Sequence, residues 1–132
     1  MRGSRSLAVA SLRKSTNAIF IHHTGSAHDE SVPDIRRRQR ALGYLDIGYH
    51  FVIRPDGLTE TGRHVDEIGL HAEGHNKTSI GICLVGNSSF TPAQHVAARA
   101  LVTRLLVSYP DACVIDRNNF IFEKETESNE PV

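Results

Sequence analysis

The sequence predicts an α/β domain, with a mixed central β-sheet flanked by helices. Three observations carry this reading. Short β-branched and aromatic runs of strand length recur along the chain, as in Ala18-Ile19-Phe20-Ile21 and Ser79-Ile80-Gly81-Ile82-Cys83-Leu84-Val85. Two helix openings, Ser31-Val32-Pro33-Asp34 and Thr91-Pro92-Ala93-Gln94, fall among those runs. A turn signal, Arg54-Pro55-Asp56-Gly57, joins two further runs into a hairpin. Strands alternating with helices are the pattern of a sheet with helices packed on it.

Taken in order, Ala18–Ile21 is a buried strand that ends in His22 and His23. Thr24 to Ser31 is a loop of small and polar residues. Ser31 then caps a helix in which Pro33 suits the first turn and Asp34 complements the dipole. That helix runs through Ile35-Arg36-Arg37-Arg38-Gln39-Arg40-Ala41-Leu42 and stops at Gly43. Tyr49 to Ile53 alternates as a strand, and Leu58 to Thr61 is its hairpin return. Thr91 caps a second helix whose apolar positions Val96, Ala100, Leu101, Leu105 and Leu106 mark a buried face. Ala112 to Ile115 reads as the last strand. From Asp116 the character changes, and Phe120-Ile121-Phe122 is the only apolar remnant before an acidic, polar end.

The length of 132 residues fits one domain. Its organisation reads as a basic segment over 1–14, the folded domain over 15–122 and an acidic, disordered tail over 123–132. Fifteen Lys and Arg balance fifteen Asp and Glu. No overall field therefore favours nucleic acid or an anionic membrane. No apolar run reaches the length of a membrane span, and the start is too interrupted by serine for a signal peptide. The expected setting is the cytoplasm, and the expected state a monomer. Two cysteines make no disulfide framework, and Cys83 reads as a buried thiol.

The candidate chemistry starts at His22. Zinc hydrolysis needs about three protein ligands and an open position for water. A histidine at the end of a rigid strand suits such a site, although a His-His pair alone reads more readily as satisfied surface or core histidine. His23 should point to the opposite face of its strand. The surrounding motifs are more specific. Ser15-Thr16-Asn17-Ala18-Ile19-Phe20-Ile21-His22, Gly43-Tyr44-Leu45-Asp46-Ile47-Gly48-Tyr49-His50-Phe51-Val52-Ile53 and Ser79-Ile80-Gly81-Ile82-Cys83-Leu84-Val85-Gly86 come in order, linked by Arg54-Pro55-Asp56-Gly57 and Phe90-Thr91-Pro92-Ala93-Gln94. Together they resemble the bacteriophage T7 lysozyme type of N-acetylmuramoyl-L-alanine amidase, related to the peptidoglycan recognition proteins. The resemblance covers about two thirds of the chain and implies the amidase and peptidoglycan-recognition fold as a single domain.

The resemblance also implies roles. His22 is the first zinc ligand, and Tyr49 is the catalytic tyrosine beside the metal-bound water or the oxyanion. His71 and His75 line the groove for the peptide stem and sugar, where Asn76 and Thr78 supply hydrogen bonds. His50 is structural, while His64 and His95 are exposed. The family's second histidine and its cysteine or aspartate ligand have no counterpart. Arg117 or Asn118 stands where the histidine would be, and no histidine follows Leu106. Arginine cannot ligate zinc, and an asparagine amide is a poor ligand. Asp116 and Cys113 are the substitutes to consider. Zinc, the family's cofactor, is therefore expected to be absent or weakly bound.

Three functions follow from that resemblance. The favoured one is a domain that binds peptidoglycan or muropeptide without cutting it, as recognition proteins lacking zinc ligands do. The second is a working amidase that cleaves between N-acetylmuramic acid and L-alanine with an unconventional second ligand. The third is a protein partner: lysozymes of this type also restrain phage RNA polymerase, and Arg36 to Arg40 with Arg13-Lys14 would offer a basic contact. A solvated helix face is the plainer account of those arginines.

Overall fold

The computed structural model describes residues 12–122, so the expectations for the tail and for the first eleven residues lie outside the described residues. Its elements are β1 (Ala18–His23), α1 (Val32–Ala41), β2 (Phe51–Ile53), β3 (Thr59–Thr61), a 3-10 turn (Asn76–Thr78), β4 (Ser79–Leu84), α2 (Pro92–Ser108) and β5 (Cys113–Ile115). The five strands form one sheet in the order β3-β2-β4-β1-β5. β1 runs parallel to β4 and β5, β2 runs parallel to β4, and only the β2–β3 hairpin is antiparallel. The mixed sheet flanked by helices is thus present.

Strand alternation sorts the side chains into two layers. Ile19, Ile21, Ile53, Ile80, Ile82 and Leu84 join Ala98, Leu101, Val102 and Leu105 of α2 in one core. Val52, Cys83 and Val85 join Val32 and Ile35 of α1 and Ile47 in the other. Phe20 and His22 alternate with Ile19 and Ile21, so they belong to the α1 side, where the helix covers the sheet only in part. His23 faces the other way, its ring 4.8 Å from Phe120 and 6.4 Å from Phe90.

Both helix openings have their expected chemistry. Ser31 and Asp34 form a reciprocal capping box on α1, and Thr91 and Gln94 form one on α2. Gly43 follows α1 at φ 104°, a conformation that penalises any side chain. The buried face of α2 departs from the sequence reading. Gln94, Ala98, Leu101, Val102 and Leu105 are buried, whereas Val96 is 70% exposed and Ala100 is also outside. The register of the α2 stripe is set by Gln94, which turns inward to cap the helix and carries the buried face with it.

The arginines of α1 are largely engaged within the chain. Arg36 pairs with Asp46 at 2.7 Å, Arg38 with the nearly buried Glu30 at 2.7 Å, and Arg37 with Asp34 at 3.3 Å. Arg40 reaches the Leu45 carbonyl, and Arg13 donates to the carbonyls of Val65 and Glu67. These side chains hold the loops after α1 and β3 in place.

Candidate functional site

His22 sits at the end of β1, in register with Cys83 on β4. Its Nε2 lies 2.9 Å from Nδ1 of His71, which comes from the loop before the 3-10 turn. The other nitrogen of His71 is 3.2 Å from the Ser79 hydroxyl, and that hydroxyl donates to the His75 carbonyl at 2.6 Å. The chain of bonds assigns both tautomers. With its own proton committed, Ser79 accepts from His71 Nε2–H, so His71 Nδ1 accepts from His22 Nε2–H. Nδ1 of His22 is left as an acceptor without a protein partner among the described residues.

The pair is held neutral. Burial, reinforced by Arg117 and His23, lowers the His22 pKa to about 4. Burial, together with His22 and His50, lowers that of His71 to about 3. His71 can come this close because Gly81 lies beneath it: a Cβ on Gly81 would stand 2.5 Å from the imidazole Cγ. His50 completes the support. It is fully buried, accepts the Gly81 N–H at 3.0 Å and donates to the Glu67 carbonyl at 2.7 Å. This is the structural role expected of it, and burial lowers its pKa to about 4.

The Tyr49 ring lies 5.6 Å from His22, and burial, with the neighbouring Cys83 thiol, raises its hydroxyl pKa. Cys83 is itself pushed up to about 12 by burial, so it is an inert thiol. Beside Tyr49 and His71 opens a cleft of about 420 Å³, lined also by Gln39, Tyr44, Leu70, Glu73 and Asn76. Asn76 holds its wall: its side-chain oxygen accepts the backbone N–H groups of His71 and Ala72 at 2.8 and 2.9 Å. His75 is exposed, with its ring 5.4 Å from Phe20. Thr78 lines a separate depression with Leu12, Lys14, Ser15, Ile68 and Lys77. Another depression of about 360 Å³, between Ser26 and Thr91, holds none of the candidate residues.

The loop after β5 approaches His22 from the neighbouring strand. Arg117 places its guanidinium 5.4 Å from the centre of the Phe20 ring, beside His22. Asp116 does not turn toward His22, because its two oxygens accept the backbone N–H groups of Phe120, Ile121 and Phe122. Cys113 is exposed, but it pairs with Ala18 in the sheet. It is therefore four residues of strand, roughly 13 Å, from His22. Among the described residues no three His, Cys, Asp or Glu side chains converge as a metal site.

A sequence model of the family described as N-acetylmuramoyl-L-alanine amidase matches residues 12–127. The chain belongs to the N-acetylmuramoyl-L-alanine amidase family. It is 43% identical to the endolysin of Escherichia phage T7 over 110 residues, which are 76% of this chain and 73% of that one. Peptidoglycan-recognition protein SC2 of Drosophila simulans is 33% identical over 112 residues, 76% of this chain and 61% of its own length. The solved endolysin amidase LysCS from Clostridium intestinale superposes with a TM-score of 0.74 at 31% identity, covering 80% of this chain and 71% of that one. The amidase fold and the kinship with recognition proteins are therefore shown.

Motif matching singled out His22, Tyr49 and His71, and the fold brings these three together. It gave no part to Ser79, Gly81 or Phe20. Of these, a glycine inside a buried strand was the available signal of close approach.

Proposed function

We propose that this amidase-family domain binds peptidoglycan fragments in the cleft beside Tyr49 and His71 and does not hydrolyse them. One observation carries the reading: the charge beside His22 is a guanidinium. The residues present do not fit zinc. His22 keeps one open acceptor, Nδ1, but no further ligands converge on it among the described residues: Asp116 is engaged by three backbone N–H groups, and Arg117 would repel a divalent cation. With its pKa lowered to about 4, neutral His22 is a weak general base for activating water in the absence of a metal. Tyr49, with its raised pKa, stays a hydroxyl donor, and the cleft offers donors and acceptors suited to a peptide stem.

The kinship with a peptidoglycan-recognition protein supports this ligand class. The experiment is titration calorimetry with a muropeptide, paired with metal analysis and a cell-wall clearing assay. The reading expects saturable heat, substoichiometric zinc and no clearing. Stoichiometric zinc together with clearing would replace it with a working amidase that recruits an unconventional ligand.

A further inference from the structure

Arg117 is a charge beside the candidate site that the described fold does not neutralise. It is exposed, and among the described residues it forms no ion pair, unlike Arg36, Arg37, Arg38 and Arg54. Its neighbour Asp116 is turned away to cap the following backbone. The Arg117 guanidinium carbon lies over the ring of Phe20, 5.4 Å from the centre, and Phe20 is itself only 2% exposed. The guanidinium N–H groups make no side-chain hydrogen bond among the described residues, and a guanidinium fork of this kind takes a carboxylate in two parallel bonds.

A second polar atom lies beside it. Nδ1 of His22 is fixed as an acceptor by the Ser79–His71 chain and has no partner among the described residues. No fully buried polar side-chain atom in the described fold lacks a partner, so this nitrogen reaches solvent. A fixed cation next to a fixed acceptor is complementary to a peptide that presents a carboxylate and an amide N–H together.

We infer that Arg117 and His22 form a two-point recognition element for the stem peptide of a muropeptide, Arg117 taking a stem carboxylate and His22 Nδ1 an amide N–H. This rests on the binding reading above and names the chemical feature that the ligand must carry. Where the family binds a metal cation, this chain would bind the ligand's anion with a cation of its own.

The test is calorimetry of the full chain with N-acetylmuramoyl-L-alanyl-D-glutamic acid and with its diamide. The inference expects the acid to bind about tenfold more tightly, with that preference fading at high salt. Arg117→Gln should bring the acid down to the diamide's affinity, and Arg117→Lys should keep part of the preference. His22→Phe should weaken both ligands alike. Circular dichroism of each variant separates lost recognition from lost fold. If both ligands bind the native chain equally, the inference is overturned while the binding reading stands. If neither binds, the binding reading itself fails.

Discussion

At the scale of single residues, the site depends on how closely His71 lies over the sheet. Gly81 allows that approach, since an added Cβ would meet the imidazole. Gly81→Ala should displace His71, destabilise the fold by roughly 1–3 kcal/mol and reduce muropeptide affinity by about tenfold or more. Unchanged calorimetric affinity in a folded variant would contradict this. Ser79→Ala removes the acceptor for His71 Nε2–H in a fully buried position. Chemical denaturation should register a loss of about 1–2 kcal/mol.

His50 gives the residue scale its pH dependence. Its folded pKa of about 4 lies below the ordinary value near 6.5. Its contribution is therefore complete above about pH 6.5. It declines as the unfolded chain takes up a proton that the folded chain refuses, and levels off below about pH 4. The full loss is roughly 3 kcal/mol for this group, and His22 and His71 act in the same direction. Urea midpoints measured from pH 7 to pH 4 should fall steadily. A flat profile would mean that these imidazoles are not held neutral. His22 and Tyr49 were legible in the sequence because each sits in a local motif. The placement of Arg117 over the Phe20 ring was not, since that contact joins residues 97 positions apart by their numbers in the chain.

At the scale of elements, capping was legible and packing register was not. Ser31 with Asp34 and Thr91 with Gln94 are local signals, readable from residues three apart. The buried face of α2 depends on a tertiary fact. Gln94 Nε2 donates to the carbonyls of Ile53 and Val85, at the C-terminal ends of β2 and β4. One side chain thus caps the helix and ties it to the sheet. Gln94→Leu should cost roughly 2–3 kcal/mol through the weakened cap and the carbonyl of Val85 left without its partner, while the Ile53 carbonyl keeps the Val85 N–H. Val96→Ser, at an exposed position of the same helix, should be nearly neutral in the same melt.

At the scale of the whole molecule, the fold followed from strand and helix signals in sequence, because each element carries its own period and caps. The missing histidine was legible too, but the arrangement around His22 was not, because it is decided where the loop after β5 returns to β1. That return brings a guanidinium to His22 and turns Asp116 away from it. Binding in this molecule is therefore expected to be independent of metal. The most direct measurement is calorimetric titration of the full chain with muropeptide, with and without a zinc chelator, followed by analysis of the ligand recovered from the cell. Saturable heat of equal affinity in both conditions, with the ligand intact, is the predicted result. No heat at saturating ligand, or cleavage that the chelator abolishes, would contradict it.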